Sequence, residues 1–157
     1  MAKDKDKAPR VTEIRNRKAS HDYFIGETFE AGVVLQGTEV KSLRQGKAQI
    51  QDAFVRVERG EVFLYNAHIS EYDFGNIHNH NPARTRKLLL HEKQILKIRN
   101  EVEANGMAVV PLKIYFSRGF AKVLIALAKG KKLYDKRESI KKREAMKDAK
   151  RAMSARR

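Results

Sequence analysis

The side chains of this 157-residue sequence that could do chemistry are mostly cations. One group lies in A-K-G-K-K, residues 128–132, directly after the last apolar run, and Tyr134 follows it. Lysine ammonium groups pair with phosphates, a glycine lets a ligand approach the backbone closely, and a tyrosine ring can stack on an unpaired base. A second group, R-T-R-K at residues 84–87, stands beside a polar loop. The candidate phosphate contacts are therefore Arg84, Arg86, Lys87, Lys122, Lys129, Lys131 and Lys132.

A pair of histidines offers a different chemistry. His78 and His80 are two residues apart in I-H-N-H-N, a spacing that places both imidazoles on one side of an extended segment. Such a pair can bind a metal ion, but it needs further ligands, and the sequence shows no obvious third. The serine and glycine motifs of common catalytic sites are absent as well. We interpret the pair as polar loop histidines and expect no metal, no cofactor and no catalysis.

The net charge of +15 is concentrated at the two ends of the chain. Residues 1–20 carry a net +4 and residues 129–157 carry +9, whereas residues 21–128 carry only +2. Basic arms on a nearly neutral body are the usual electrostatic footprint of nucleic-acid binding. The alternatives are a solvated basic segment without a partner, or one that lies on anionic lipid, although a broad apolar face for the membrane is missing.

Composition excludes several classes of protein. The apolar fraction of 41% is compatible with one globular core, and no run approaches the ~20 apolar residues of a membrane span. The N-terminus has no apolar signal region, and the absence of cysteine suits a reducing compartment. The sequence therefore predicts a cytoplasmic protein.

Period-two patterns predict β-hairpins. Residues 53–69 alternate on either side of Arg59-Gly60, and residues 110–127 alternate on either side of the S-R-G turn at 117–119. The β segment at 23–35 contains Gly26 and Gly32, which we expect at bulges or bends. In the second hairpin, the side chains expected to point inward are Val110, Leu112, Ile114, Phe116, Ala121, Val123, Ile125 and Leu127.

Helical signals are fewer. Residues 38–44 predict a short helix that stops at Gly46, and residues 91–106 predict the longest helix before the C-terminal segment. Short antiparallel strands, glycine bends and one long helix between two hairpins predict a mainly β fold with flanking helices. The expected architecture is an OB-like small antiparallel β-barrel, a class that favours oligonucleotides.

The sequence divides into three parts. Residues 1–12 alternate lysine and aspartate with little to bury, which predicts a disordered arm. Residues 13–130 are predicted to form the barrel domain. Residues 131–157, the tail, are rich in helix formers but have only a thin apolar stripe. The tail is therefore predicted to be largely disordered alone and helical when bound to an anionic partner.

Several segments, in order along the chain, form a recognisable set. They are N-R-K-A-S-H-D-Y-F-I (16–25), F-E-A-G (29–32), T-E-V-K-S-L-R-Q-G-K (38–47), R-T-R-K-L-L-L (84–90), A-K-G-K-K (128–132) and Y-D-K-R (134–137). Together they resemble the SsrA-binding protein family, also called small protein B. The resemblance implies an OB-like, non-enzymatic, monomeric adaptor that binds the tRNA-like domain of bacterial transfer-messenger RNA (tmRNA). With elongation factor Tu, the complex would rescue ribosomes stalled on messages that lack a stop codon.

The resemblance also implies which residues contact each RNA. By position, those on or supporting the surface for the tRNA-like domain are Asn16, His21, Glu30, Leu89 and Lys122. Those that occupy the vacant decoding centre are Tyr134, Asp135, Lys136 and Arg137, with the rest of the tail in the message channel. Composition alone would not select Glu30 or Leu89, and the carboxylate is expected to accept hydrogen bonds from RNA or to orient a cation.

Two other functions remain open from the residues. A general RNA-binding protein or chaperone would use the same cations without preferring one RNA. A metal-dependent nuclease would use His78 and His80 together with ligands from elsewhere in the chain.

Overall fold

A computed structural model describes residues 12–75, 79–131 and 133–155; in the C-terminal helix, the described side chains are those of residues 140–151. The helices are α1 (Ala19–Asp22), α2 (Gly37–Arg44), α3 (Glu92–Asn105) and α4 (Leu133–Ala155). The strands are β1 (Ile14–Arg15), β2 (Tyr23–Val33), β3 (Ala48–Gln49), β4 (Phe54–Glu58), β5 (Glu61–Tyr65), β6 (His68–Ile69), β7 (Arg86–Leu89), β8 (Ala108–Ser117) and β9 (Phe120–Gly130).

Six strands close into an antiparallel ring. Their order is β8-β4-β5-β7-β2-β9, and β9 pairs back with β8. The other edge of β8 pairs with β4 near its start and with β1 further along. The short strands β3 and β6 form a separate ribbon. The predicted class, a mainly β fold with a small antiparallel ring and flanking helices, is confirmed.

Both predicted hairpins are present. The β4–β5 turn holds Arg59 and Gly60 at φ 51° and 77°, and the β8–β9 turn holds Arg118 and Gly119 at φ 52° and 82°. Two consecutive residues with positive φ give a turn whose twist matches that of the flanking strands. The hairpins contribute a large part of the core, including Val55, Val62, Leu64, Ile114, Val123, Ile125 and Leu127.

The side-chain alternation predicted for the first half of β8 is wrong. The pairing of β8 with β9 shifts register between Pro111 and Lys113, so the side chains before the shift face the other way. Val109 therefore lies in the main core, whereas Val110 and Leu112 pack with Ala19 beneath α1. After the shift, Ile114 and Phe116 point inward as predicted.

Two predicted helices are also confirmed. The short helix is α2, which is followed by Gly46 at φ 74°, and the long helix is α3, which Gly106 ends in the left-handed conformation. Ile98 of α3 is buried in the core.

The chain leaves the barrel at Gly130 and begins α4 at Leu133. The start of α4 lies beside α1, and the described α4 side chains, including Ile140 and Met146, are exposed. The helical form of the tail is thus present, and its disorder when free stays a prediction, as does the division into three parts.

No helix in the described ranges is long and apolar enough to span a membrane. Of the predicted disordered arm, residues 1–11 lie outside the described residues.

A buried ion pair joins α2 to β7. Glu39 and Arg86 are both fully buried, and Arg86 Nε donates a hydrogen bond to Glu39 Oε2. The remaining guanidinium nitrogens donate to the carbonyl oxygens of Ala67 (2.7 Å) and Pro82 (3.1 Å). Arg84 donates to Glu39 Oε1 at 2.5 Å. The prediction that Arg86 contacts phosphate is therefore wrong, because its guanidinium lies inside the protein.

The pair stays ionised because its hydrogen bonds outweigh burial. Burial alone would raise the pKa of Glu39, but hydrogen bonds from Arg84, from the Gln36 N–H and from Arg86 hold it below the ordinary value of 4.5. Burial lowers the pKa of Arg86, and Glu39 opposes that effect. A guanidinium keeps its charge at any physiological pH.

The substitution Glu39→Gln is expected to lower the free energy of unfolding by about 3–5 kcal/mol, because it leaves a buried guanidinium charge without its partner. Urea denaturation followed by circular dichroism measures the change. Glu61→Gln is the matched control, since Glu61 pairs with Lys87 at 3.3 Å on the surface. The control is expected to change the same free energy by less than about 1 kcal/mol.

The pH dependence of this difference checks its electrostatic origin. A carboxyl whose folded pKa is depressed stabilises the fold above its unfolded pKa, and that contribution disappears as the pH falls through the folded pKa. The stability gap between wild type and Glu39→Gln should therefore be widest at neutral pH and should narrow below pH 4.5, the ordinary value for the carboxyl. Equal stability of the two proteins at pH 7 would contradict the interpretation of Glu39 as the ionised partner of a buried Arg86.

Candidate nucleic-acid interface

Residues from four strands form one cross-strand row on the outside of the barrel. Gly32 of β2 pairs with Leu89 of β7 on one side and with Lys122 of β9 on the other. Lys122 in turn pairs with Tyr115 of β8. Directly paired residues share a face of the sheet. The buried neighbours Leu88 and Val123 point the opposite way, so the row faces outward.

Glu30 lies two residues before Gly32 and shares the outer face with the row. Its Oε2 accepts a hydrogen bond of 2.5 Å from the Tyr115 hydroxyl. Burial raises the pKa of Tyr115 to about 12, and the hydrogen bond to Glu30 and its negative charge add to this effect. The phenol is therefore a donor at neutral pH.

These residues and the start of α3 enclose a shallow groove. Its volume is ≈ 380 Å³, and its lining residues are Glu30, Gly32, Leu89, Leu90, His91, Gln94 and Lys122. Three of the residues named from the family resemblance, Glu30, Leu89 and Lys122, thus line one surface depression. An acceptor, an apolar side chain and a cation at one site suit a ligand with hydrogen-bond donors, a flat or apolar surface and phosphates.

Gly32 does not form a bulge, which was one of the two alternatives predicted for it. Its pairing stays in register on both sides, whereas the register shift in β2 falls between Ile25 and Thr28, around Gly26 as predicted. A Cβ at position 32 would lie 3.3 Å from the Leu89 Cβ. The glycine therefore makes room for Leu89, which extends over it.

Asn16 and His21 lie away from the groove, at α1. Asn16 is buried, donates to the Pro111 carbonyl at 2.9 Å and accepts from the Ala19 N–H at 3.2 Å. It therefore holds the start of α1 against β8. His21 is half-buried and its Nδ1 lies 3.0 Å from Asp22 Oδ1, which leaves part of the imidazole accessible.

The end of β9 meets α1 at Lys131. The Lys131 N–H donates to the Asp22 carbonyl at 2.9 Å, and its ammonium donates to the Ser20 carbonyl at 3.1 Å and lies 5.0 Å from the Phe24 ring centre. Phe24 pairs with Lys129 across β2 and β9. Lys129 and Lys131 therefore lie together beside α1, where the chain passes into α4.

The basic stretch at residues 84–87 is divided by the alternation of β7. Arg86 points inward, and Arg84 is half-buried with its guanidinium bonded to Glu39 and to the Val34 carbonyl. Lys87 faces solvent and pairs with Glu61. Of the three cations in this stretch, Lys87 alone has a largely accessible charge.

His80 does not have the environment of a metal ligand. It is buried, its Nε2 contacts the Ile69 carbonyl at 2.8 Å, and its Nδ1 contacts the Thr38 hydroxyl at 2.8 Å. The carbonyl can only accept, so Nε2 carries a proton, and in the neutral imidazole Nδ1 then accepts from the hydroxyl. Within the described ranges no cluster of three acidic or histidine side chains could hold a metal.

Several candidate residues cannot be placed. His78 and Lys132 lie outside the described residues, and the side chains of Tyr134, Asp135, Lys136 and Arg137 do as well. The backbone of these last four residues belongs to the first turns of α4.

Of the candidate cations whose side chains the structure describes, Lys122 and Lys129 are without a partner. No hydrogen bond or ion pair within the described part of the chain engages the ammonium groups of Lys122 or Lys129. They stand on the same strand, one in the groove and one near α1. The strand β9 therefore connects the two parts of the candidate interface.

The sequence prediction missed Tyr115 and the packing role of Gly32. Tyr115 stands in a regular period-two run, K-I-Y-F, which identifies a strand residue but not its partner 85 residues away. The nearest signal was the unexplained carboxylate of Glu30 on a surface expected to bind RNA.

Comparison with known proteins gives the same family throughout. The model of the SmpB protein family matches residues 13–155. An SsrA-binding protein of Shouchella clausii is 58% identical over 142 residues, which is 90% of this chain and 91% of that protein. An SsrA-binding protein of Bacillus pumilus is 59% identical over 138 residues, 88% of each chain.

A solved structure agrees with these sequence matches. A chain from the study "tmRNA-SmpB: a journey to the center of the bacterial ribosome" superposes with a TM-score of 0.67 and 49% identity, covering 82% of this chain and 94% of that chain. The family model spans the barrel and the tail together, and relatives are more than half identical over nearly the whole chain. This chain therefore belongs to the SmpB protein family.

Proposed function

We propose that this chain is a non-enzymatic adaptor that binds the tRNA-like domain of tmRNA and delivers it to stalled ribosomes. The observation that carries the proposal is the close likeness, over nearly the whole chain, to proteins named for binding SsrA and to a chain studied with tmRNA and the ribosome. Elongation factor Tu is the proposed partner during delivery. The function requires a cytoplasmic protein, and one copy of the chain is sufficient for it.

The groove geometry supports the first half of the proposal. Lys122 offers a charge for a phosphate, Leu89 an apolar surface for a base or ribose, and Glu30 an acceptor for amino, imino or hydroxyl donors. A barrel with a net charge of only +2 over residues 21–128 attracts RNA weakly, so these contacts must provide the selectivity.

The second half concerns the tail. Its net charge of +9, counted from residue 129, suits ribosomal RNA, and its helix projects from the barrel edge beside α1. Tyr134, Asp135, Lys136 and Arg137 are proposed to enter the decoding centre. The barrel would then hold one RNA while the tail tests whether the message channel is empty.

Binding in competition tests the function directly. Labelled tRNA-like domain is bound to the full chain at 150 mM salt, and unlabelled bulk tRNA is added in about tenfold excess. The complex is expected to persist, because the groove recognises features that most tRNA lacks. Equal displacement by bulk tRNA and by unlabelled tRNA-like domain would favour a general RNA chaperone. Metal-dependent shortening of the RNA in the same assay would favour the nuclease.

A truncation separates the two RNA partners. Because Lys131 is bonded to α1, the chain should be stopped after residue 131 so that the barrel keeps this contact. The truncated chain is expected to bind the tRNA-like domain with nearly unchanged affinity and to lose peptide tagging in a reconstituted translation assay on a stop-less message. Loss of RNA binding in the truncated chain would contradict the division of labour.

Tyr134 is the proposed stacking residue of the decoding centre. Tyr134→Ala is expected to leave binding of the tRNA-like domain intact and to reduce the rate of tagging by about 5- to 150-fold, since a lost base–aromatic stack costs ~1–3 kcal/mol. The matched variant Tyr134→Phe keeps the ring and should tag at nearly the wild-type rate. Normal tagging by Tyr134→Ala would exclude the stacking role.

A further inference from the structure

The Glu30–Tyr115 hydrogen bond crosses a strand. Glu30 of β2 is directly opposite Leu124 of β9, and Tyr115 of β8 is directly opposite Lys122 of the same strand. The bond therefore runs diagonally over the outer face of β9, between Lys122 and Leu124. It joins β2 to β8, which are not neighbours in the ring.

This bond places a carboxylate at the edge of the groove. An ionised carboxylate has two acceptor oxygens, and here the tyrosine hydroxyl occupies Oε2 at 2.5 Å. Among the described residues, no other donor to Glu30 is present. The second oxygen is therefore left to accept from a ligand, while the first fixes the rotation of the group.

We propose that Tyr115 is a positioning residue for RNA recognition, which holds the Glu30 carboxylate so that its free oxygen accepts a hydrogen bond from a base N–H or a ribose 2′-hydroxyl. The inference rests on the proposed function, in which the groove faces the tRNA-like domain. It explains how an acidic group can serve on a surface that must also meet phosphates. A carboxylate repels phosphate whether or not it is mobile, but a fixed one directs its free oxygen at one position and so favours an RNA that has a hydrogen-bond donor there.

The neighbours of Tyr115 restrict the movement of its ring. The Lys113 ammonium lies 5.0 Å from the centre of the tyrosine ring, and it also pairs with Glu13 at 3.4 Å. The ring is half-buried between these groups and Lys122, so its hydroxyl has little freedom once it is bonded. A pKa of about 12 keeps the phenol protonated at neutral pH, so the donor is always present.

A second tyrosine on the same barrel makes a comparable bond elsewhere. The Tyr65 hydroxyl donates to Glu58 Oε1 at 2.7 Å on the β4–β5 hairpin. In the ring order, β7 lies between β5 and β2, and β4 adjoins β8 near the start of β8, far from Tyr115. Neither Tyr65 nor Glu58 lines the groove. Tyr65→Phe is therefore a matched control that removes the same kind of bond outside the proposed interface.

The test is a double-mutant cycle on the full chain with Tyr115→Phe, Glu30→Gln and the double variant. Affinity for labelled tRNA-like domain is measured by fluorescence anisotropy at several salt concentrations. Each single variant is expected to bind about tenfold more weakly, the loss typical of a hydrogen bond to a charged group. The double variant is expected to bind no more weakly than either single variant, because both substitutions remove the same oriented acceptor.

The salt dependence separates positioning from phosphate binding. Tyr115→Phe should leave the slope of log K against log salt unchanged, whereas Lys122→Ala should reduce that slope by about one. Thermal melting should match wild type for Tyr115→Phe, since the bond lies at the surface. Tyr65→Phe should bind and melt as wild type does.

Four results would decide against the inference or its basis. Wild-type affinity in Tyr115→Phe, or losses that add in the double variant, would overturn the positioning role of Tyr115. An equal loss of affinity in Tyr65→Phe would show that the effect is not specific to the groove, with the same consequence. Wild-type protein that shows no preference for the tRNA-like domain would instead overturn the proposed function.

Discussion

The buried pair of Glu39 and Arg86 is the contact on which the arrangement of the interface depends. One guanidinium binds a carboxylate from α2 and two carbonyl groups, Ala67 after β5 and Pro82 before β7. A buried ion pair gives little net stability compared with apolar residues of the same size. What the pair adds is a fixed geometry, because the guanidinium fork is satisfied only when all three segments meet at one point.

The pair also determines which side chains of β7 point into the core and which point outward. This strand has four residues, and its inward side chains, Arg86 and Leu88, alternate with the outward Lys87 and Leu89. A shift of the strand by one residue would bury a lysine without a partner and remove Leu89 from Gly32. The ion pair inside the barrel therefore determines which side chain lines the groove outside it.

The features that local patterns determine could be predicted from the sequence, and those that depend on distant partners could not. Both hairpins and the end of α3 at Gly106 follow from glycines at fixed positions in periodic runs. Arg86 was assigned to RNA because a run of cations shows charge but not which face of a strand each cation occupies. The register shift between Pro111 and Lys113 depends on how β8 pairs with β9, and the Glu30–Tyr115 bond joins residues 85 positions apart on strands that do not pair. The period-two pattern of a single strand encodes neither feature.

Most of the net positive charge lies on the tail, whereas the shaped groove lies on the barrel. This separation explains how one chain can serve two RNA partners. Electrostatic attraction to phosphate is strong and insensitive to sequence, and it falls steeply as salt rises. In this chain most of that attraction belongs to the tail, where α4 exposes its described cations to solvent. On the barrel, by contrast, Arg84 and Arg86 bind Glu39 and Lys87 pairs with Glu61. The groove combines Lys122, which has no partner among the described residues, with an apolar side chain and an oriented acceptor. In the proposed function, selectivity for a shape therefore belongs to the barrel and general affinity to the tail, because a groove with the tail's charge would bind any RNA and lose its discrimination.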